Sequence, residues 1–325
     1  MAEQGETILA AALRQGINLP YGCRNGACGS CKGRVLEGEV EYGHQNLEGI
    51  TTEEKRSGFA LFCQAIPDTD LIIDTRIIKR LDDIQIRNLP CRVERIDRLN
   101  RNVMRLLLKL PATERLQFMA GQYIDIHMPN GKRRSFSLAN APHDDEFLEL
   151  HVRYYNGGLF SEFAFNNMHE KSLLRIEGPL GSFFLREDSD RPMILLAGGT
   201  GFAPVKSIIE HSIKKHFNRP IYLYWGARTR SDLYMHDLAS KWQKSINYFH
   251  YVPVLSSPLK SDRWRNKTGL VHEAILRDFN DLSAYDVYAC GPPPMVKTAN
   301  ETFLKQGLPA NCFFSDSFEI AVPDS

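Results

Sequence analysis

Four cysteines near the start of the chain have the residue type and the spacing that iron chemistry requires. The run Cys23-Arg-Asn-Gly-Ala-Cys28-Gly-Ser-Cys31 is followed, after a long gap, by Cys63. This C-x4-C-x2-C…C order is typical of a plant-type [2Fe–2S] loop, in which four soft thiolates hold two adjacent irons. The alternatives are disulfides or a zinc site, but zinc knuckles usually use two C-x2-C pairs and only one is present. The four cysteines are therefore predicted to be metal ligands.

A second set of residues has the types that a flavin site uses. Arg134-Ser135-Phe136-Ser137 reads R-x-aromatic-S. In such a site the aromatic ring covers the isoalloxazine face, the guanidinium binds phosphate, and a hydroxyl reaches the flavin N5 edge. We expect all four residues to contact FAD and Ser137 to be catalytic. Alone the motif is weakly specific, because an arginine and a phenylalanine share many strands.

A glycine pair further along predicts a place for the pyrophosphate. Gly157 and Gly158 precede an apolar stretch that has a helical pattern. We expect Ser161 to cap this helix, and the glycines to let a pyrophosphate approach its positive end. The alternative for two adjacent glycines is an ordinary turn.

A glycine-rich turn near residue 200 predicts a nucleotide-binding loop. It follows an apolar strand pattern, and Gly199-Thr200-Gly201 fits the start of a dinucleotide fingerprint. Pro204 replaces the last glycine of that fingerprint, which a first helical turn accommodates. These four residues are predicted to bind the nicotinamide nucleotide, and a ligand-free turn between strand and helix is the alternative.

The ends of two further predicted strands carry candidate nucleotide contacts. Arg228 and Arg230 stand where a ribose-binding acidic residue is usual. Each could bind a 2′-phosphate or could be a solvated surface residue, and we assign Arg228 as the nucleotide contact. Cys290 and Gly291 close a later strand, at the carboxyl end where a side chain points into the ligand crevice. Cys290 is predicted to be catalytic beside the nicotinamide, the alternative being a buried structural cysteine.

The elements that position these motifs divide the chain into three parts. Residues 1–80 combine a helix at 6–15 with short strands, which indicates an α+β domain. Residues 81–89 form a linker, and residues 90–188 alternate in short stretches like an antiparallel β-barrel. Residues 189–325 have the strand–helix–strand order of a parallel α/β sheet.

Composition excludes several classes of function. The formal net charge is +1, so no charged field indicates a nucleic-acid partner, and no apolar run is long enough to span a bilayer. Three of the seven cysteines remain after the cluster set, an odd number that favours the reducing cytoplasm over a disulfide framework. Serine-nucleophile and mononuclear metal motifs are missing from the sequence.

Taken in order, the motifs resemble those of the ferredoxin-NADP reductase superfamily, in the branch that carries an N-terminal plant-type ferredoxin domain. More narrowly, the chain is similar to the bacterial CDP-6-deoxy-Δ3,4-glucoseen reductase group and to the reductase components of oxygenases. The resemblance covers nearly the whole chain. Its residues lie at 20–32, 120–123, 134–140, 199–204, 224–228 and 288–292.

The resemblance implies a β-grasp ferredoxin domain, an FAD-binding barrel and a parallel-sheet nicotinamide domain. It also implies one FAD, one [2Fe–2S] cluster and NADH or NADPH, with NADH favoured. Electrons would pass from nicotinamide to flavin, to cluster, and then to a protein acceptor, which is an oxygenase or a PMP-dependent dehydrase. The family places a C-terminal aromatic near the flavin. Phe318 is our assignment, although the choice among the aromatics of residues 313–318 stays open.

The first domain departs from the family pattern. Ferredoxin domains of this branch open with a β-hairpin before the first helix, whereas here the helical pattern begins near Glu6. We expect that Met1 is internal to the natural reading frame or that the domain is incomplete.

Two other functions fit parts of the sequence. A stand-alone reductase of flavin or ferric chelates would use the flavin and nucleotide motifs, but it needs no cluster. A redox-sensing module would use the cluster, but the chain ends near its last motif and leaves no effector domain.

Overall fold

The computed structural model describes residues 1–43, 47–78 and 84–318, which form two compact units. The first unit comprises the described residues of Met1–Ile86 together with Leu180–Phe183. The second comprises those of Arg87–Pro179 and Phe184–Ser325, so that it contains both the predicted barrel and the predicted nucleotide segment. The domain boundaries given above stay predictions.

The first unit has an α+β arrangement. Its elements are α1 (Ile8–Arg14), β1 (Lys32–Glu37), β2 (Val40–Tyr42), α2 (Thr52–Arg56), β3 (Phe59–Leu61), β4 (Ala65–Pro67) and β5 (Ile72–Asp74). The strands β3, β1 and β5 form an antiparallel sheet in that order, and β2 pairs with β4.

Helix α1 begins and ends where its sequence dictates. The Thr7 Oγ1 accepts a hydrogen bond from the Ala10 amide at 3.2 Å, which satisfies one free amide of the first turn. Gly16, with φ +74°, follows the helix and ends it. The helix buries Ile8 and Leu9 in the core of this unit.

The second unit begins with the predicted antiparallel barrel. Its elements are β6 (Arg87–Arg98), β7 (Val103–Lys109), β8 (Tyr123–His127), β9 (Arg133–Ser137), β10 (Leu148–Arg153), α3 (Leu159–Asn166) and β11 (Leu173–Leu180). The strand order is β10-β7-β6-β11-β8-β9, and a bridge between Leu138 and Leu150 joins the two ends of this sheet. The barrel prediction is confirmed. Strand β6 begins at Arg87, within the segment predicted to be a linker.

The rest of the second unit is the predicted parallel sheet. Its elements are β12 (Met193–Gly198), α4 (Phe202–Lys214), β13 (Ile221–Ala227), α5 (His236–Ser245), β14 (Phe249–Leu255), β15 (Lys267–Thr268), α6 (Val271–Asp278), β16 (Asp286–Gly291), α7 (Pro293–Lys305) and β17 (Phe313–Ser317). The strands are parallel in the order β15-β14-β13-β12-β16-β17. All six residues of β12 are buried, as expected for a central parallel strand covered on both faces.

Within the described part of the chain, no helix has the length and apolar character needed to cross a membrane.

Candidate functional site

The four predicted metal ligands lie in two pairs on the first unit. The Cys23 amide donates to the Cys28 Sγ at 3.4 Å, and the Cys28 amide donates to the Cys23 Sγ at 3.3 Å. The Sγ atoms of Cys31 and Cys63 are 3.1 Å apart. Cys31 and Cys63 are buried, whereas Cys23 and Cys28 are half-buried. The structure thus brings together residues that are far apart in the chain.

The electrostatics of each pair favour one thiolate. The hydrogen bond with Cys23 lowers the pKa of the Cys28 thiol. The hydrogen bond with Cys31 likewise lowers the pKa of Cys63. Metals bind the thiolate rather than the thiol, so a lowered pKa favours the form that binds iron.

The donor set fits a binuclear iron cluster. A [2Fe–2S] cluster takes four cysteine thiolates on two irons, which is two protein sulfurs for each iron and matches the two pairs. Among the described residues, no three histidine, cysteine or acidic side chains surround one position where a single metal ion could bind. Gly26 and Gly29 in the loop have φ angles of +89° and +76°, a backbone conformation that favours glycine.

The predicted flavin residues lie on strand β9 of the barrel. The Ser137 side chain is buried, and its Oγ has no hydrogen-bond partner among the residues that the structure describes. A buried hydroxyl without a partner is costly, so this atom is suited to a polar ligand atom. The Phe136 ring is half-buried and packs 4.8 Å from the Phe160 ring, between centroids. These two observations fit a flavin ring placed against the end of β9.

The other two residues of this motif have partners in the protein. The half-buried Arg134 donates from Nη1 to the Arg133 carbonyl at 2.8 Å. Ser135 is exposed and donates from Oγ to Asp125 Oδ1 at 2.5 Å. The alternation along β9 therefore places Ser135 on the opposite face from Arg134 and Phe136. A flavin contact from Ser135 stays a prediction, and Asp125 is its contact in this structure.

The prediction that Ser161 caps helix α3 is wrong. The helix begins at Leu159 with Gly158 as its N-cap, so Ser161 lies inside the first turn. Its Oγ donates to the carbonyls of Tyr155 and Gly158 and accepts from the Tyr155 amide at 3.1 Å, which closes the turn that precedes the helix. The Gly157 amide donates to Glu162 Oε1 at 2.7 Å. A pyrophosphate contact at Gly157 and Gly158 stays a prediction.

The predicted nucleotide loop joins β12 to α4 at the carboxyl edge of the parallel sheet. Gly199, Thr200 and Gly201 form a short 3₁₀ turn, and Pro204 lies in the first turn of α4. A Cβ at Gly201 would lie 2.1 Å from the Cys290 carbonyl oxygen, so only glycine fits there. The loop therefore packs backbone to backbone against the end of β16.

Cys290 is fully buried at that same edge. It lies in β16 beside Ala197 of β12, and its pairing on the other side is with Asp316 of β17. Burial, together with the charge of Asp316, raises the pKa of the Cys290 thiol well above its usual value. The residue is therefore a neutral thiol, which can bound a nicotinamide pocket but does not act as an ionised nucleophile.

Two more predicted residues lie at this edge of the sheet. Arg228 is exposed immediately after β13, in reach of solvent and of a charged ligand group. Phe318 follows β17, and its amide donates to the Gly291 carbonyl at 3.0 Å. The Phe313 ring packs near Phe303, whereas Phe314 stacks on Tyr288, so both have aromatic neighbours in the protein. Phe318 stays our assignment for the flavin aromatic.

Sequence reasoning missed several charged residues that lie between the barrel and the parallel sheet. Arg153, at the end of β10, reaches the nucleotide loop: a Cβ at Gly199 would lie 2.8 Å from its Nη1. Glu149 and His151 of β10 and Lys206 of α4 are buried together. A lysine within an otherwise buried, largely apolar stretch of α4 was the available signal for this group.

The hydrogen bonds of this group define its protonation. His151 Nε2 lies 2.8 Å from Glu149 Oε1, and Nδ1 lies 2.9 Å from the Tyr234 hydroxyl. Burial would raise the pKa of Glu149, but the His151 hydrogen bond and the charge of Lys206 lower it to about 2. Burial lowers the pKa of His151. A neutral ring beside a carboxylate must donate from Nε2, so Nδ1 accepts from Tyr234.

This arrangement predicts an acid-sensitive contribution to stability. The pKa of Glu149 is lower in the folded chain than its usual 4.5, so its contribution is full above that pH and is lost as the pH falls toward 2. At pH 6 the unfolding free energy of the wild type should exceed that of Glu149→Gln. At pH 3.5 we expect this excess to be smaller by about 1.4 kcal/mol.

Denaturant titration followed by tryptophan fluorescence measures this difference. The three tryptophans, Trp225, Trp242 and Trp264, all belong to the second unit and report its unfolding. A gap between the two proteins that is equal at both pH values would contradict the prediction.

Comparison with family models identifies three domains in the chain. Residues 1–68 match the 2Fe-2S iron-sulfur cluster binding domain. Residues 90–185 match the oxidoreductase FAD-binding domain, and residues 195–301 match the oxidoreductase NAD-binding domain. The predicted set of [2Fe–2S], FAD and nicotinamide-binding domains is therefore confirmed.

Whole-chain comparisons give the same arrangement. The chain is 43% identical over 312 residues to a CDP-6-deoxy-L-threo-D-glycero-4-hexulose-3-dehydrase reductase of Yersinia pestis, covering 96% of this chain and 93% of the relative. It is 36% identical over 314 residues to reductase component 1 of a terephthalate 1,2-dioxygenase of Comamonas sp, covering 97% and 92%. The crystal structure of the Amycolatopsis cytochrome P450 reductase GcoB matches with a TM-score of 0.81 and 34% identity, over 98% of this chain and 96% of that one.

Proposed function

This chain belongs to the family of iron–sulfur flavoprotein reductases, and on that premise we propose that it carries electrons from NADH to a dehydrase that acts on a nucleotide-linked deoxyhexulose. The observation that carries the proposal is the 43% identity, over 96% of the chain, to a reductase named for such a dehydrase. The identity to a dioxygenase reductase component is lower, at 36% over a similar length.

When bound, FAD, a [2Fe–2S] cluster and a nicotinamide nucleotide would supply the redox chemistry that links a two-electron donor to a one-electron acceptor. In the proposal the protein's own residues bind and orient these groups. The paired cysteines 23, 28, 31 and 63 hold iron, Arg134 binds phosphate, and Ser137 offers its unpaired hydroxyl to flavin N5. The backbone of Gly199–Gly201 binds the nucleotide, and the neutral thiol of Cys290 bounds the nicotinamide pocket.

Turnover with a dehydrase tests the proposed acceptor. The reductase is mixed anaerobically with NADH and with a PMP-dependent dehydrase loaded with CDP-6-deoxy-L-threo-D-glycero-4-hexulose. NADH consumption that requires the dehydrase and its substrate would support the proposal. If the protein reduced cytochrome c but the dehydrase and its substrate caused no NADH consumption, the proposed acceptor would be contradicted. The proposal that the chain is a reductase would still stand. Replacing NADH with NADPH in the same assay tests the proposed donor, since the exposed Arg228 is the residue that would favour a 2′-phosphate.

An oxygenase component is the second candidate acceptor. It is favoured by the similarity to the dioxygenase reductase component and to the P450 reductase GcoB. An oxygenase component that accepts electrons from this chain, in place of the dehydrase, would select this alternative.

We also propose that the protein works in the cytoplasm. The support is that Cys91 and Cys290, which lie outside the cluster set, are buried thiols that form no disulfide with any described residue. Free thiols persist in a reducing compartment.

Ser137→Ala should have opposite effects in the empty and the loaded protein. Without FAD, the variant loses a buried hydroxyl that has no partner in the described part of the chain, so its unfolding free energy should be unchanged or higher. With FAD, reduction of the flavin by NADH should slow by roughly 10–100-fold, the equivalent of one hydrogen bond to a group that gains charge. Denaturant titration and anaerobic stopped-flow absorbance measure the two effects. A loaded variant that is reduced at the wild-type rate would remove Ser137 from the site.

A further inference from the structure

Lys206 carries a buried ammonium whose three donors all have acceptors. Its Nζ donates to the Ala139 carbonyl at 3.1 Å, to Glu149 Oε2 at 3.1 Å and to Glu210 Oε2 at 2.9 Å. Three bonds are the full capacity of an ammonium group. A buried charge is tolerated only when it is paired and hydrogen-bonded in this way, so the geometry around Lys206 is strongly constrained.

These bonds fix helix α4 against the segment that follows β9. Because β9 carries the predicted flavin residues, it is called the flavin strand. Ser207 donates from Oγ to the Asn140 carbonyl at 2.7 Å, so Lys206 and Ser207 bind two consecutive carbonyls. The two bound carbonyls follow Ser137, the residue that we place at flavin N5, with only Leu138 between. Helix α4 in turn directly follows the nucleotide loop, Gly199–Gly201. One set of contacts thus links the two places between which hydride must move.

A second connection reaches the nucleotide loop from the same carboxylate. Glu149 accepts from His151, and His151 accepts from the hydroxyl of Tyr234. The Tyr234 ring meets the Trp225 ring edge to face, with centroids 5.2 Å apart. The Trp225 Nε1 donates to the Gly199 carbonyl at 3.0 Å. The carbonyl orientation at the first residue of the loop is therefore set through a chain of contacts that starts on the barrel.

We propose that the junction, defined as Glu149, His151, Lys206 and Tyr234, is a set of positioning residues that holds the flavin strand and the nucleotide loop at hydride-transfer distance. The inference rests on the proposed reductase function and adds a role that is separate from cofactor binding. None of the contacts above requires a junction residue to touch the flavin or the nucleotide.

Lys206→Met tests the first connection, because it keeps an unbranched side chain and removes the ammonium. In the FAD-loaded protein, flavin reduction at saturating NADH should slow by about 10–100-fold, since a displacement of about 1 Å has an effect of that size. The dissociation constant of NAD⁺, measured by calorimetry, should change by less than about threefold, because no nucleotide contact is removed. Amide hydrogen exchange should become faster in residues 137–141 and in residues 199–204 together.

Tyr234→Phe tests the second connection with a smaller change and remains informative if Lys206→Met does not fold. It removes only the hydroxyl that binds His151 and keeps the ring against Trp225. Flavin reduction should slow by about 3–10-fold, the equivalent of one hydrogen bond. Faster hydrogen exchange should be confined to residues 199–204.

Tyr224→Phe is the matched control. Tyr224 precedes Trp225 on β13, and its hydroxyl bonds to Asp278 on the other face of the sheet, away from the junction. This variant should keep the wild-type rate and the wild-type exchange in both segments. The proposal is overturned if folded, FAD-loaded Lys206→Met and Tyr234→Phe are both reduced within about twofold of the wild type, or if Tyr224→Phe slows as much as they do. A wild-type protein that NADH does not reduce would instead contradict the proposed function itself.

Discussion

Cys63→Ser should lower electron delivery to a protein acceptor by more than about 100-fold, beyond the range found for residues that only support a metal ligand. Cys63 is the distant member of the buried Cys31–Cys63 pair, and a serine hydroxyl cannot replace the soft thiolate that iron requires. The broad visible absorbance of the cluster should be lost. Reduction of a small dye that accepts directly from flavin should stay within about twofold, because the predicted flavin and nucleotide residues all lie in the second unit.

Cys91→Ser is the control for this substitution. Cys91 is also a buried free thiol, but it lies in β6 of the barrel and belongs to the second unit, whereas the cluster cysteines belong to the first. This variant should keep iron content, cluster absorbance and acceptor reduction. A Cys63→Ser protein that retains its iron would show that Cys63 is not a ligand. Loss of the dye activity as well would show that the two units do not work separably.

Gly201→Ala should be the most damaging substitution in the nucleotide loop. The new Cβ would lie 2.1 Å from the Cys290 carbonyl oxygen and 2.5 Å from its carbon, which are backbone atoms of a central strand. The loop must therefore move away from β16, at a cost of about 3 kcal/mol in unfolding free energy for such overpacking. Because the same loop is proposed to bind the nucleotide, NAD⁺ affinity should fall by roughly 10–100-fold. Tryptophan-monitored unfolding and calorimetry measure the two effects.

Gly43→Ala separates this clash from a general effect of replacing glycine. A Cβ at Gly43, which lies in the first unit, meets no atom of the described residues within 4 Å, so the NAD⁺ affinity of this variant should match that of the wild type. Equal stability and equal affinity in Gly201→Ala would show that the loop does not pack on β16 as described.

The features that sequence alone predicted are those encoded within short stretches of chain. The spacing of the first three cysteines and the apolar strand of 193–198 followed by glycines specify their own local structure. Alternating patterns between turn residues likewise predicted the barrel, because each strand needs one face in the core. The fourth cysteine was found only because its residue type completes a known ligand count.

The features that sequence missed depend on contacts between distant residues. Glu149 and Lys206 are 57 residues apart. The sequence around either residue does not indicate that it will be buried in an ion pair with the other. On sequence alone a helical lysine reads as a solvated charge. Ser161 was misplaced for a related reason: the start of α3 was set by Gly158 and by the turn at Tyr155, and not by the strongest capping residue type in the segment.

Anaerobic absorbance titration of the purified protein with NADH tests the central claim most directly. The account predicts that the flavin band and the broad iron–sulfur band bleach together, and that bleaching is complete at about 1.5 equivalents of NADH, because FAD takes two electrons and the cluster takes one. Bleaching of the flavin band alone, with an iron–sulfur band that NADH leaves unchanged or with no such band at all, would contradict the claim that this chain carries electrons from nicotinamide to an iron–sulfur cluster.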